Sequence, residues 1–245
     1  MKTRALILAA GKGTRMKSDL PKVLHKLNGK TMIEYVTEAL EIPEVEKIGI
    51  IVSDFTKTGI SDVLENRANY ITQEQQLGTG HAVLSAKDWL IGFEGNLIVV
   101  VGDAPLITKD LMQNLILKHE EKDAVCTLLS AIWEYPPAYG RVVRNPKGKM
   151  LRVVEEKDAT EAERKIKEVS SSHYCFNAKK LFSALDKISN NNVQGEYYLP
   201  DVIKILQNEG EIVEALPVSD PYLTYGINSQ IDLKRANFYL NRGGE

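Results

Sequence analysis

No stretch of this chain is long and apolar enough to cross a bilayer, which takes about 20 residues. The N-terminal apolar run, Ala5 to Ala10, stops after six residues at Gly11, short of the roughly 7–15-residue core of a secretory signal. Cysteine is scarce: Cys126 and Cys175 are the whole supply in 245 residues, and both stand in apolar runs. One pair is a poor disulfide framework for a chain of this size, so both are read as reduced core residues. Charge of neither sign is in excess. A formal net charge of -2 gives no reason to expect nucleic acid or an acidic membrane surface as a partner. Repeats and low-complexity linkers are missing too. The expectation is a cytoplasmic globular protein.

What the chain does have is alternation. Near-continuous apolar runs at Ala5–Ala9, Ile48–Val52, Leu97–Val101 and Ala124–Leu129 suit strands covered on both faces. Helical patterns lie between them. Thr31–Leu40 opens with the capping box Thr31-x-x-Glu34 and repeats Met32, Val36, Ala39 and Leu40 on one face. Gly80–Leu90 and Leu111–His119 read similarly. The order predicts an α/β fold: a Rossmann-like, mostly parallel mixed sheet with helices on both faces. After Pro136-Pro137 the pattern changes. Arg141–Arg144 and Met150–Glu155 read as a hairpin around Asn145-Pro146-Lys147-Gly148, inserted beside the main sheet. Residues 156–168 are a charge-rich helix or loop with a solvated face. A strand near His173–Phe176 and helices near Ala178–Lys187 and Leu199–Asn208 follow. A last helix starts at Ser229, capped by Ser229-x-x-Asp232. The expected division is one domain over residues 1–228 and a C-terminal helix over 229–245.

The segment from Leu8 to Lys22 carries the first chemical signal. It reads Leu8-Ala9-Ala10-Gly11-Lys12-Gly13-Thr14-Arg15-Met16, then Leu20-Pro21-Lys22, directly after the first expected strand. Gly11 and Gly13 let the backbone turn and bring its N–H groups to a phosphate. Arg15 can fork onto phosphate oxygens, and Lys22, after the stiffening Pro21, adds a mobile point charge. Together they suit a triphosphate. A Walker A loop is absent, and Met16 stands where a dinucleotide fingerprint needs its third glycine. A nicotinamide-dependent oxidoreductase therefore fits poorly.

L-A-A-G-x-G-T-R-M followed by P-K resembles the sugar-nucleotide pyrophosphorylase superfamily. The string Leu20 to His25 is most similar to the uridyltransferase domain of the bacterial N-acetylglucosamine-1-phosphate uridyltransferases. Further matches run nearly end to end: Gln73 to Ala82, Gly102 to Leu106, Tyr139 to Val142, Val154 to Ala159, Asn191 to Tyr198 and Gly226 to Asn228. The resemblance implies transfer of a nucleotidyl group from a nucleoside triphosphate, UTP, to a sugar 1-phosphate, N-acetylglucosamine 1-phosphate in the first instance, with Mg²⁺ as cofactor. It implies in-line attack by a sugar-phosphate oxygen on the α-phosphorus. That phosphate is already an anion, so the protein must align two anions and offset their repulsion. Arg15 would stabilise departing pyrophosphate and Lys22 the α-phosphate.

The remaining candidates follow. The Gln73 amide can donate and accept at once, which suits the edge of a base; the resemblance assigns it, with Gly78 and Thr79, to uracil. His81 reads as a helix-start residue. Asp103 follows a strand expected to be buried, where open α/β sheets bind ligands. Its hard oxygens suit Mg²⁺, and the resemblance supplies Asn228 as second ligand, close to the sugar as well. The Gly140 backbone and the Glu155 carboxylate would hold sugar hydroxyls by resemblance, with Tyr139 either there or packed. Two features depart from that family: Ser170-Ser171-Ser172 replaces an Asn-Thr-Gly-type segment, and Val101 stands where Tyr or Ser is usual. Ser170 thus takes the place of an amide that contacts the N-acetyl sugar. A different sugar 1-phosphate or base stays open, as does a non-catalytic subunit of the same fold, although Arg15, Lys22 and Asp103 are all retained. The family also carries a C-terminal left-handed β-helix that transfers acetyl groups; no hexapeptide repeat occurs in this chain, which is expected to be a truncated or stand-alone form. The oligomeric state stays open.

Overall fold

The computed structural model describes residues 1–242; the last three residues of the expected C-terminal helix, 243–245, lie outside them. Along the chain run β1 (Thr3–Leu8), the short strands β2 (Lys26–Leu27) and β3 (Lys30–Thr31), α1 (Met32–Leu40), β4 (Val45–Val52), α2 (Asp54–Leu64), β5 (Asn69–Thr72) and α3 (Thr79–Leu84). There follow β6 (Asn96–Val101), α4 (Lys109–Glu121), β7 (Cys126–Ile132), the hairpin β8 (Arg141–Arg144) and β9 (Met150–Val154), and one helical turn α5 (Glu161–Arg164). Then come β10 (Glu168–Asn177), α6 (Ala178–Leu185), α7 (Asp201–Asn208), β11 (Val213–Pro217) and α8 (Gln230–Arg242). No helix among the described residues is long and apolar enough to cross a membrane.

The main sheet is ordered β11-β7-β10-β6-β1-β4-β5. The pairs β1·β4, β1·β6, β4·β5 and β11·β7 are parallel, while β10 runs antiparallel between β6 and β7. The expected α/β architecture, mostly parallel and mixed, is the one observed. β1 shows why its apolar run is continuous. Leu6 packs into the core on one face of the sheet, and Ala5 and Ile7 into the core on the other. A strand sandwiched between two helical layers needs apolar residues at every position. The first face is covered by α3, α6 and α7, the second by α1, α2 and α4. A third cluster seats α8, through Ala236, Leu233 and Leu240, on Met16, Leu27 and Met32.

The capping chemistry forms as written in the sequence. Thr31 accepts from the Glu34 N–H while the Glu34 carboxylate accepts from the Thr31 N–H at 2.7 Å. Ser229 Oγ donates to Asp232 at 2.8 Å and accepts from its N–H at 3.2 Å, starting α8 at the next residue. The hairpin attaches to the sheet through Val169 and Arg141. Cys126 and Cys175 are buried free thiols.

Several elements differ from expectation. The helix read over Gly80–Leu90 is α3 followed by a separate 3-10 turn at Asp88–Leu90. The strand read at His173–Phe176 extends over ten residues, Glu168–Asn177. Five elements carried no usable signal. α2 (DFTKTGISDVL) buries Thr56, Ile60 and Leu64 at every fourth position, but its threonines and glycine are weak helix formers. β5 and β11 are edge strands, half-exposed or polar in part, so neither shows a full apolar face. The β2–β3 ribbon is two residues a side.

Candidate active site

Three strands end at one place. The Ala9 N–H donates to Ile51 O at 2.9 Å, the Gly102 N–H to Leu8 O at 2.9 Å and the Gln73 N–H to Val52 O at 2.7 Å. These bonds carry the parallel ladder just past the C-terminal ends of β1, β5 and β6, where an open α/β sheet forms its ligand crevice. Two adjoining chambers open there, sharing Val101 and Asp103 as a common wall.

The first chamber holds about 260 Å³. Leu8, Ala9, Ala10, Gly11, Lys22, Gln73, Gly78 and Thr79 all line it, so most of the residues expected around a nucleotide meet in one cavity. Gly13, Thr14 and Arg15 lie outside its lining. Gly13 has another task. Its φ is +63°, and a Cβ there would stand 2.6 Å from Lys22 Cβ. The bare backbone lets Lys22 fold over the loop. Thr14–Met16 form a short 3-10 turn that buries Met16 and leaves Arg15 exposed.

Gln73 is 3% exposed. Its Nε2 donates to Gly78 O at 3.3 Å and meets His81 Nδ1 at 3.1 Å. With His81 accepting, both amide hydrogens are used, and Oε1 has no hydrogen-bond donor among the described residues. Gly78 has φ +112°, and a Cβ there would lie 2.6 Å from Tyr197 O and 2.8 Å from Tyr197 N. The segment before α3 is thus pressed against the 196–199 backbone. The Gly80 N–H donates to Tyr197 O at 2.7 Å and the Leu199 N–H to Thr79 Oγ1 at 3.0 Å. Those bonds engage the Gly80 N–H and the Thr79 hydroxyl oxygen at the start of α3. Glu196, on the same wall, was not singled out from the sequence; only the match over Asn191 to Tyr198 pointed near it.

At the junction, Arg15 Nη2 donates to Asn228 Oδ1 at 2.8 Å, and Lys22 Nζ donates to the same oxygen at 3.0 Å and to Asp103 Oδ2. The Lys22 and Asp103 side chains are 16% and 17% exposed. Backbone geometry fixes the pair: the Ile227 N–H donates to Asp103 O at 2.8 Å. Tyr139, left between binding and packing by the sequence, pins the same turn. Its hydroxyl accepts from the Gly226 N–H at 2.8 Å and donates to Gly226 O at 3.3 Å, and burial pushes its pKa well up. Asp103 and Asn228 therefore aim hard oxygens at one cationic position, here taken by the lysine ammonium. No cluster of three or more His, Cys, Asp or Glu side chains suited to a metal occurs among the described residues. The donor set fits Mg²⁺, which takes few protein ligands and completes its shell with water and phosphate oxygens.

The second chamber holds about 160 Å³ and is lined by Tyr139, Gly140, Glu155, Ser170 to Ser172, Thr224 and Asn228 among others. All four residues expected at the sugar meet here. The Ser170 N–H donates to Gly140 O at 2.8 Å, tying two walls together. Glu155 makes no side-chain hydrogen bond among the described residues. Burial, followed by the charges of Asp201, Asp158 and Glu196, raises its pKa to about 7, against a smaller lowering by Arg141.

Comparison with known proteins identifies the family and the fold. A family model described as nucleotidyl transferase matches residues 4–220. The chain is 49% identical over 236 residues to the bifunctional protein GlmU of Limosilactobacillus reuteri, covering 96% of this chain and 52% of that protein. It is 44% identical over 241 residues to the protein of the same name in Bacillus licheniformis, covering 97% and 52%. The chain spans about half the length of the curated relatives it matches. Among solved structures, a putative glucose-1-phosphate thymidylyltransferase from Bacillus anthracis superposes with a TM-score of 0.78 at 17% identity, over 97% of this chain and 94% of that one. At that identity the likeness speaks for the fold alone.

Proposed function

The chain belongs to the nucleotidyl transferase family, and on that premise we propose that it joins UTP to a sugar 1-phosphate, N-acetylglucosamine 1-phosphate first, with release of pyrophosphate. The observation that carries this reading is the pair of chambers meeting at Asp103. A donor nucleotide in one and an acceptor sugar in the other would bring two phosphates together beside Lys22, Arg15, Asp103 and Asn228. Holding both reactants in line supplies much of the catalysis, because the acceptor phosphate needs no general base.

Each group then has a task. The backbone of Leu8 to Gly11 passes the nucleotide, and Gln73 Oε1 accepts from the N3–H of uracil. Cytosine has a lone pair at that position, so the same oxygen disfavours CTP. Lys22 leaves its present partners to neutralise the α-phosphate, and Arg15 leaves Asn228 to meet departing pyrophosphate. Enzymes of this family generally use a divalent metal. We assign Mg²⁺ to Asp103 and Asn228, where it would offset charge on the phosphate oxygens. Gly140 and Glu155 hold sugar hydroxyls. The second reading, another sugar 1-phosphate, is favoured by one observation: Asn228 is the one side-chain amide in the second chamber's lining, and it is engaged by Arg15 and Lys22.

The test is a panel of nucleoside triphosphates and sugar 1-phosphates with Mg²⁺, read by pyrophosphate release. UTP is expected to be the preferred nucleotide. Lys22→Ala should lower turnover by about 100-fold or more at saturating substrates. Near-normal turnover by that variant would remove Lys22 from the mechanism.

A further inference from the structure

We infer that Ser172 is a specificity-determining residue, its hydroxyl reserved for an uncharged oxygen on the ring of the acceptor sugar. The inference rests on the reading of the second chamber as the sugar site, and it starts from the backbone. Ser170 pairs with Ser130 and Tyr174 with Leu128, so three residues of β10 stand opposite one of β7. Within that bulge Ser172 has φ +60°. The other described non-glycine residues with positive φ are Lys17, Asn28, Glu65 and Asp123. All four are exposed, whereas Ser172 is half-buried and inside a strand. A left-handed backbone is strained for any residue with a Cβ and free for glycine. Strain kept at a ligand cavity is a reason to look for a use of the side chain.

The neighbouring hydroxyls are spoken for. Ser171 Oγ donates to Leu129 O at 2.6 Å. Ser170 Oγ accepts from the Ser172 N–H at 3.2 Å and lies 3.4 Å from Tyr174 OH. Ser172 Oγ makes no hydrogen bond with the described residues, yet Ser172 lines the chamber. The same lining holds the Glu155 and Asp103 carboxylates. Glu155, when ionised, can only accept, so it suits a hydroxyl or amide N–H. Ser172 can donate, so it suits a hydroxyl or carbonyl oxygen. The Glu155 carboxylate, with no cation bonded to it among the described residues, disfavours an anionic substituent there. The two side chains together describe a neutral pyranose that presents a donor to one wall and an acceptor to the other.

Two variants separate the hydroxyl from the backbone. Ser172→Gly removes the hydroxyl and relieves the φ strain, so its unfolding midpoint should equal or exceed that of the unaltered protein. Ser172→Ala removes the hydroxyl and keeps the strain. In steady-state assays both should raise KM for the sugar 1-phosphate about fivefold while KM for UTP changes less than about twofold. An unchanged sugar KM in both variants overturns the inference. So does a rise of both KM values together, which would mark a structural role. If the unaltered protein forms no nucleotide sugar from any pair, the nucleotidyl-transfer reading fails first, and this inference falls with it.

Discussion

Gly13 and Lys22 are nine positions apart, yet each explains the other. The lysine stem lies where a Cβ of residue 13 would be, and its ammonium ends between Asp103 and Asn228. Read locally, Gly13 has a different reason, a phosphate-binding backbone, because a side chain folding over a loop leaves no local pattern. Gly13→Ala should therefore act mainly on chemistry. It forces a left-handed alanine, at a cost of about 1–2 kcal/mol, and displaces Lys22, so turnover should fall at least about tenfold while the unfolding midpoint drops by only a few degrees. Steady-state kinetics with thermal denaturation checks both halves. Leu8, Ala9, Ala10, Gly11, Lys22, Gln73, Gly78 and Asp103 were all legible as candidates, because glycine, amide and carboxylate chemistry is written in single residues. The pinning of the Gly226 turn by Tyr139 was not, since nothing in residue 139 names its partner 87 positions away.

Among elements, the strongly amphipathic or fully buried ones were readable and the edges were not. Continuous apolar runs gave β1, β4, β6 and β7, and a capping box gave α1. The antiparallel direction of β10 escaped local reading, because apolar residues on both faces are equally compatible with either direction. The bulge at Ser170–Ser172 escaped for the related reason that strand register is a property of two chains of contacts. The turn into α3 depends on Gly78. Alanine there would combine φ +112° with a contact of 2.6 Å to the Tyr197 carbonyl. Gly78→Ala should destabilise the protein by about 1–3 kcal/mol and raise KM for UTP more than KM for the sugar. Urea denaturation and initial-rate measurements would show whether both occur.

For the molecule as a whole, three buried titratable groups set opposing pH trends. His119 and His173 are held neutral by burial, each with its pKa lowered from 6.5 to about 4. Between those values the unfolded chain binds more protons than the folded one. Stability from this source is complete above about 6.5 and is lost as pH falls toward 4. Glu155 works in the other direction. Its pKa is raised from 4.5 to about 7, so the folded chain binds the extra proton and stability falls as pH rises through that window. The shift corresponds to about 3 kcal/mol at most. Glu155→Gln should therefore be more stable than the unaltered protein at pH 8 and no more stable at pH 4. Unfolding midpoints at the two values decide it. The same substitution should weaken sugar binding, so the site keeps a carboxylate that the fold would be more stable without.

In the proposed reaction the α-phosphorus of the nucleotide held in one chamber exchanges its bond to pyrophosphate for a bond to the phosphate oxygen of the sugar held in the other. This exchange is tested most directly by supplying UTP labelled at the α-phosphorus together with N-acetylglucosamine 1-phosphate and Mg²⁺. The label is expected in a nucleotide diphospho-sugar, with unlabelled pyrophosphate released. Label recovered as free UMP, or an unlabelled phosphorylated sugar formed from the γ-phosphate, would contradict the proposed reaction.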